Sequence, residues 1–189
     1  MGLQAARERD IAVFNAPFSI TRSVAKLVLA EAILLLHGLP AKNTAAHRGG
    51  WLKSADDAYE IRAKTLGIIG HGPIGMQLSV LTEALGLHVV FFDVVTNLSV
   101  GNARQVPELR DLLAQSDAIN LHLPESQATE WRIDEAQIAG MKPGSVLINA
   151  SRGTVIRVEP LVEAWRQGSS EKRHYKVRKA NCGEAKKVC

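Results

Sequence analysis

Apolar residues at Val24, Leu27, Val28, Ala32, Leu35 and Leu36 recur at intervals of three and four. This periodicity predicts a helix from about Thr21 to His37, stopped by Gly38-Leu39-Pro40. A second helical stretch is expected over 41–48, followed by a loop opened by Gly49-Gly50-Trp51. Upstream, Ile11 to Asn15 reads as a short β-like run ended by Ala16-Pro17. From Lys64 the pattern changes to short apolar runs alternating with helical periodicity. Strands are expected at 65–69, 87–92, 117–121 and 145–149, and helices at 74–85, 107–114, 134–141 and 159–167. This alternation implies right-handed βαβ units. The fold class is therefore α/β: a Rossmann-type parallel sheet in a three-layer α/β/α arrangement. The sheet is expected to be incomplete, because the pattern breaks at Gly168 where a further strand should follow.

Composition changes this picture only at one end. The chain has 189 residues and a formal charge of +4. Residues 169–189 hold seven Lys and Arg against two acids, which leaves the first 168 close to neutral. That tail is expected to be disordered, and the basic balance does not make the body a nucleic-acid binder. Both cysteines, Cys182 and Cys189, lie in the tail, so no disulfide or cysteine metal site supports the body. The most apolar stretch, Val24 to Leu36, is interrupted by Lys26 and Glu31 and is too short to span a bilayer. With no signal-like N-terminus, the reading is a cytoplasmic protein without metal, membrane or nucleic-acid partners.

The chemistry concentrates after the first strand of the alternating region. Gly70-His-Gly72-Pro73-Ile74-Gly75 has the G-x-G-x-x-G spacing and opens a helix, the context a dinucleotide site requires. Gly70 permits the tight turn, Gly72 lets a pyrophosphate approach the backbone, and Gly75 lets the helix pack on the strand. N–H groups at the helix start then face the phosphates. Asp93 ends the next strand, 23 residues after Gly70, where a carboxylate accepts from ribose hydroxyls and repels a 2′-phosphate. The expected cofactor is NAD. A helix cap or turn residue is the plainer reading of an Asp there, but strand, glycines and spacing are all in register. His122-Leu-Pro124 and Asn149-Ala150-Ser151-Arg152-Gly153 follow the third and fourth strands, at the carboxyl edge where such sheets bind ligands. Arg152 offers a planar grip on a carboxylate, although an Arg before a Gly is also a common surface-turn residue. His122 by itself reads more readily as structural than catalytic.

Several runs resemble the D-2-hydroxyacid dehydrogenases, and among them the bacterial D-3-phosphoglycerate dehydrogenases. They are Phe14-Asn-Ala-Pro-Phe-Ser19, Lys64-Thr-Leu-Gly-Ile-Ile-Gly-His-Gly72 and Met141-Lys-Pro-Gly-Ser-Val-Leu-Ile-Asn-Ala-Ser-Arg-Gly-Thr-Val155. The resemblance covers about Leu3 to Gln167. It implies NAD-dependent oxidation of a small 2-hydroxyacid, with 3-phosphoglycerate the substrate in serine biosynthesis. It places Arg152 on the catalytic arginine that holds the substrate carboxylate. It places Pro73 and Ile74 at the phosphate turn, Asp93 on the ribose, and Ala150 and Ser151 beside the nicotinamide. His122, Pro124 and Arg152 itself join them as cofactor-lining residues.

The departures are equally specific. The family's proton-transferring His lies in a T-P-H-I-G-G segment and its partner Glu in an A-x-D-V-F…E-P segment; neither segment is present in these 189 residues. Residues 1–20 read as a remnant of a substrate domain, 21–168 as an NAD-binding domain truncated at its C-terminal side, and 169–189 as a frameshifted tail. The expectation is a chain that binds NAD without turning over. The alternatives are an active enzyme with an unrecognised proton shuttle, and a non-enzymatic protein that pairs with another subunit, for instance as a homodimer through 21–50.

Overall fold

Four apolar segments that carry almost no polar side chains form the centre of one parallel sheet. Thr65–Ile69 (β1) pairs with His88–Phe92 (β2) on one side and Ala118–Leu121 (β4) on the other, and β4 pairs with Val146–Asn149 (β5). Strands buried on both faces need no alternation, which explains their continuous apolar character. Two short strands flank them, Arg104–Gln105 (β3) against β2 and Lys176–Lys179 (β6) against β5. The order is β3-β2-β1-β4-β5-β6, all parallel. This computed structural model describes residues 3–171 apart from 15, 17 and 57, together with the backbone of 176–179.

Helices cover both faces. Thr21–Leu36 (α2) and Pro73–Glu83 (α4) pack against each other on one face. There Ala25, Val28, Ala32, Leu36 and Leu78 meet Leu66, Ile68, Val89 and Phe91. Leu109–Gln115 (α5), Glu135–Ala139 (α6) and Val158–Glu171 (α7) lie on the other. Their Leu112, Leu113, Ile138 and Leu161 pack with Ile69, Val90, Ile119 and Leu147. At about 1.5–3 kcal/mol per fully buried Leu, Ile or Phe, these two clusters carry most of the domain's stabilisation. Among the described residues, Leu3–Arg7 (α1) and the segment up to Ile20 contribute no buried residue, and neither does Leu39–His47 (α3).

The predicted elements match within a few residues, with several differences, α1 and a 3-10 turn at Gly153–Val155 being unpredicted additions. Ile11 to Phe14 has no regular secondary structure and pairs with no strand among the described residues, so the predicted β-run is not a strand; its last residue, Asn15, lies outside the described residues. Gly38, at φ 66°, ends α2 as expected, but Leu39 and Pro40 begin α3 instead of joining the stop, because proline is well suited to a helix's first turn. β3 is an added strand. The last difference is the end of the sheet. The break predicted at Gly168 is not observed: α7 continues to Glu171 and β6 runs alongside β5, from Val146 opposite Lys176 to Asn149 opposite Lys179. The sheet therefore has six strands, and 169–171 and 176–179 belong to regular elements where a tail was expected. The remaining tail residues lie outside the described residues. Among the described residues no single helix is long and apolar enough to cross a membrane. α2 and α3 would suffice together by composition but are bent by 73°, and α2 buries one side on the sheet.

Candidate dinucleotide site

The sheet order reverses direction between β1 and β4, which opens a crevice at their carboxyl ends. The glycine loop fills the β1 side of it. Gly70 has φ +91°, and a Cβ there would lie 2.6 Å from the His122 carbonyl oxygen, so both backbone and space demand glycine. A Cβ on Gly75 would stand 2.7 Å from the Gly70 oxygen, and its absence lets α4 sit down on β1. Gly72 differs from both. Its backbone is extended (φ −76°, ψ −164°) and a Cβ would meet nothing within 4 Å. The protein itself does not need glycine at this position; a ligand approaching the loop would. Pro73 starts α4, where its missing N–H costs no helix bond, and Ile74 is half-buried against the α2–α4 core. The free N–H groups of this first turn form an anion-binding end.

Asp93 follows β2 and faces the same loop. Its Oδ2 accepts the His71 backbone N–H at 2.8 Å, and Oδ1 accepts the Val95 N–H at 3.3 Å. Each oxygen retains a lone pair for a further donor. Beside it lies a cleft of about 400 Å³ lined by Asp93, Val94, Val95, Thr96, Gln105 and Pro107 among others. Gln105 was not singled out in the sequence. Its Nε2 donates to the Val95 oxygen at 3.0 Å and its Oε1 accepts from the Asn97 N–H at 3.2 Å, which fixes the loop after Asp93. Nothing in the linear pattern marks it, because β3 has only two residues.

The other half of the crevice comes from the β4 and β5 ends. Asn149 organises it. Its Oδ1 accepts the Ser151 N–H at 2.9 Å and its Nδ2 donates to the Arg152 oxygen at 3.0 Å. Ser151 Oγ in turn accepts the Leu123 N–H at 2.7 Å and ties the two loops together. Ala150 is half-buried against the α2–α4 core. Pro124 is exposed, and its oxygen accepts from Thr129 Oγ1. His122 is only partly covered as a residue, yet both ring nitrogens are buried without a partner among the described residues. Burial pushes its pKa down to about 4, so the ring is neutral at pH 7. Arg152 is exposed, and its Nε lies 3.9 Å from Glu125 Oε2. Glu125, whose Oε1 also accepts from Thr154, is a second residue the sequence did not single out.

The geometry brings Gly70, Gly72, Gly75 and Asp93 into one crevice wall and His122, Ser151 and Arg152 into the facing one. Room for a pyrophosphate at Gly72, a carboxylate with free lone pairs and an open cleft beside it all fit an adenine dinucleotide.

Comparison with known proteins agrees with this arrangement. Residues 29–173 match the family profile described as D-isomer specific 2-hydroxyacid dehydrogenase, NAD binding domain. D-3-phosphoglycerate dehydrogenase of Escherichia coli K12 is 54% identical over 162 residues, which are 86% of this chain and 40% of that protein. The Haemophilus influenzae enzyme of the same name is 50% identical over 166 residues, again 40% of its length. The chain thus spans about two fifths of the curated relatives it matches. In three dimensions it resembles NAD-dependent formate dehydrogenase from Staphylococcus aureus in complex with NAD. The TM-score is 0.82 at 27% identity, covering 98% of this chain and 56% of that one. Against D-lactate dehydrogenase with NAD+ from Lactobacillus jensenii it is 0.78 at 29% identity, covering 88% and 51%.

Proposed function

The chain belongs to the D-isomer specific 2-hydroxyacid dehydrogenase family as an NAD-binding domain, and from that premise we propose that it supplies the cofactor half of a dehydrogenase acting on 3-phosphoglycerate. The observation that carries this is the pairing of Gly72, open on its Cβ side, with Asp93, whose oxygens are each held by one backbone N–H. Bound there, the nicotinamide would accept a hydride from the substrate's hydroxyl-bearing carbon. Gly70, Gly72, Pro73, Ile74 and Gly75 hold the pyrophosphate and Asp93 the adenosine ribose. His122, Pro124, Ala150 and Ser151 line the nicotinamide side. Arg152 is exposed, with only the distant Glu125 carboxylate as a charged partner among the described residues, and its role is to grip the substrate carboxylate. We place the protein in the cytoplasm, where its cysteine-free body needs no oxidising compartment.

The 189-residue chain expressed by itself is expected to hold the cofactor without turning over. Removing the hydroxyl proton needs a positioned base, worth about 10²–10⁴-fold in rate. The His and Glu segments implied by the family resemblance have no counterpart in these residues. NADH formation from 3-phosphoglycerate, with hydrazine trapping the keto product, should stay at background. Activity that survives purification from a host lacking its own enzyme, and vanishes in Arg152→Ala, would overturn this.

A second reading is favoured by one surface. Leu34, Leu39, Trp51 and Leu52 line an apolar groove of about 1020 Å³ formed by α2, α3 and the following loop, with Trp51 78% exposed. Apolar surface of this extent suits association. It supports pairing of two copies through 21–50, a role open to a non-enzymatic subunit as well. Sedimentation equilibrium should then show a dimer that Trp51→Glu dissociates; a wild-type monomer at high concentration removes this reading.

A further inference from the structure

His71 sits inside the glycine loop but does not face the crevice. Its side chain is turned down into the domain, 1% exposed. The ring stacks on Phe91 of β2, with centroids 3.8 Å apart and planes inclined by 12°. Nε2 lies 2.9 Å from Ser79 Oγ, one turn into α4 from Gly75. The Ser79 hydroxyl donates to the Gly75 oxygen at 2.9 Å, so it accepts from His71 Nε2–H, which sets the tautomer. Nδ1 is then a buried lone pair with no donor among the described residues. The same residue's backbone N–H is the one that holds Asp93 Oδ2.

We infer that His71, clamped between Phe91 and Ser79, is a positioning residue for the Asp93 carboxylate and thereby a determinant of cofactor choice. The inference rests on the NAD site described above. A planar ring stacked on one face and hydrogen-bonded at its edge restrains the backbone of residue 71, whose N–H is directed at Asp93. Phe91 and Asp93 belong to β2 and its exit, whereas Ser79 and Gly75 belong to α4. The clamp thus couples the strand that carries the ribose acceptor to the helix that faces the pyrophosphate. Burial keeps the imidazole neutral against the opposing pull of Asp93, so the ring acts as a packed wedge with one directed donor and not as a charge.

Without the ring, the loop settles into the space beneath it and the His71 N–H leaves the carboxylate. A charge-assisted bond of this kind is among the stronger ones, and its loss frees Asp93 to swing away from the ribose and from an incoming 2′-phosphate. The distinguishing readout is the ratio of NADH to NADPH affinity, not either affinity alone. A purely structural role for His71 lowers both together and leaves the ratio unchanged.

The test uses calorimetric titration of the 189-residue chain with NADH and with NADPH. Wild type should favour NADH by about tenfold or more. His71→Ala should narrow that ratio to within about twofold, Asp93→Asn should narrow it likewise, and the double variant should narrow it no further, because both act through one contact. If His71→Ala does not fold, His71→Phe keeps the stack and severs the Ser79 bond, and its ratio should fall by about threefold. A folded His71 variant that retains the wild-type ratio, or effects that add in the double variant, overturns the inference. A wild type with no preference would remove the Asp93 assignment on which it stands, an outcome the variants do not imitate.

Discussion

The two walls of the crevice are built to different standards. On the β1–β2 side every functional atom is tied down. Asp93 takes two backbone N–H bonds, Gly75 rests on β1, and His71 is held by a stack and a hydrogen bond. On the β4–β5 side the loops are joined through Asn149 and Ser151, but the two groups with chemistry to offer are loosely held. Among the described residues His122 has two ring nitrogens without a partner, and Arg152 meets a carboxylate only at 3.9 Å. A preorganised wall binds without reorganisation, whereas side chains awaiting partners are completed by a ligand or by further protein. The difference separates two proposed tasks, holding the cofactor and using it.

Variants that attack the first wall should have the largest effects. Gly72→Val is expected to weaken NADH binding at least a hundredfold, or about 2.7 kcal/mol, while the domain stays folded, because the new side chain meets open space in the protein and the pyrophosphate in the complex. Unchanged binding by a folded variant, read by NADH fluorescence, would reduce the glycine loop to a structural turn.

The pH response probes the second wall. His122 has a folded pKa of about 4 against 6.5 when unfolded. Between these values the unfolded chain takes up a proton that the folded chain refuses. Stability is therefore fully present above pH 6.5 and is lost as the pH falls towards 4, with about 2 kcal/mol gone by pH 5. His71 shifts in the same direction. Urea midpoints at pH 7.5 and 5 should show the loss, and His122→Asn should flatten it; an equal slope in that variant would place the proton uptake elsewhere. The smallest effect is expected of Arg152→Ala, which should leave NADH affinity within about twofold if, as we propose, the exposed guanidinium mainly grips the substrate carboxylate.

The same division marks how far the sequence could be read. Thr65–Ile69 and the other central strands were legible because burial on both faces writes a continuous apolar run. β3 and β6 are flanking strands of sequence Arg-Gln and Lys-Val-Arg-Lys, held by backbone pairing, which leaves no hydrophobic signature. The run from Ile11 shows the converse: β-like residues without a neighbouring strand remain unpaired. In the site, Gly70, Gly72, Gly75 and Asp93 were visible because glycine spacing and a strand-end acid are local features. The His71–Phe91 stack, the Ser79 bond and the Gln105 brace join separate elements, and no linear pattern announces such contacts.

If the β1–β2 wall alone holds the dinucleotide, ADP-ribose, which carries the adenosine and pyrophosphate but no nicotinamide, addresses that wall directly. Titrated calorimetrically into the 189-residue chain, ADP-ribose should bind within about threefold of NAD, a difference under about 0.7 kcal/mol. Affinity for ADP-ribose more than about thirtyfold weaker than for NAD would place the binding energy on the β4–β5 side and contradict the claim.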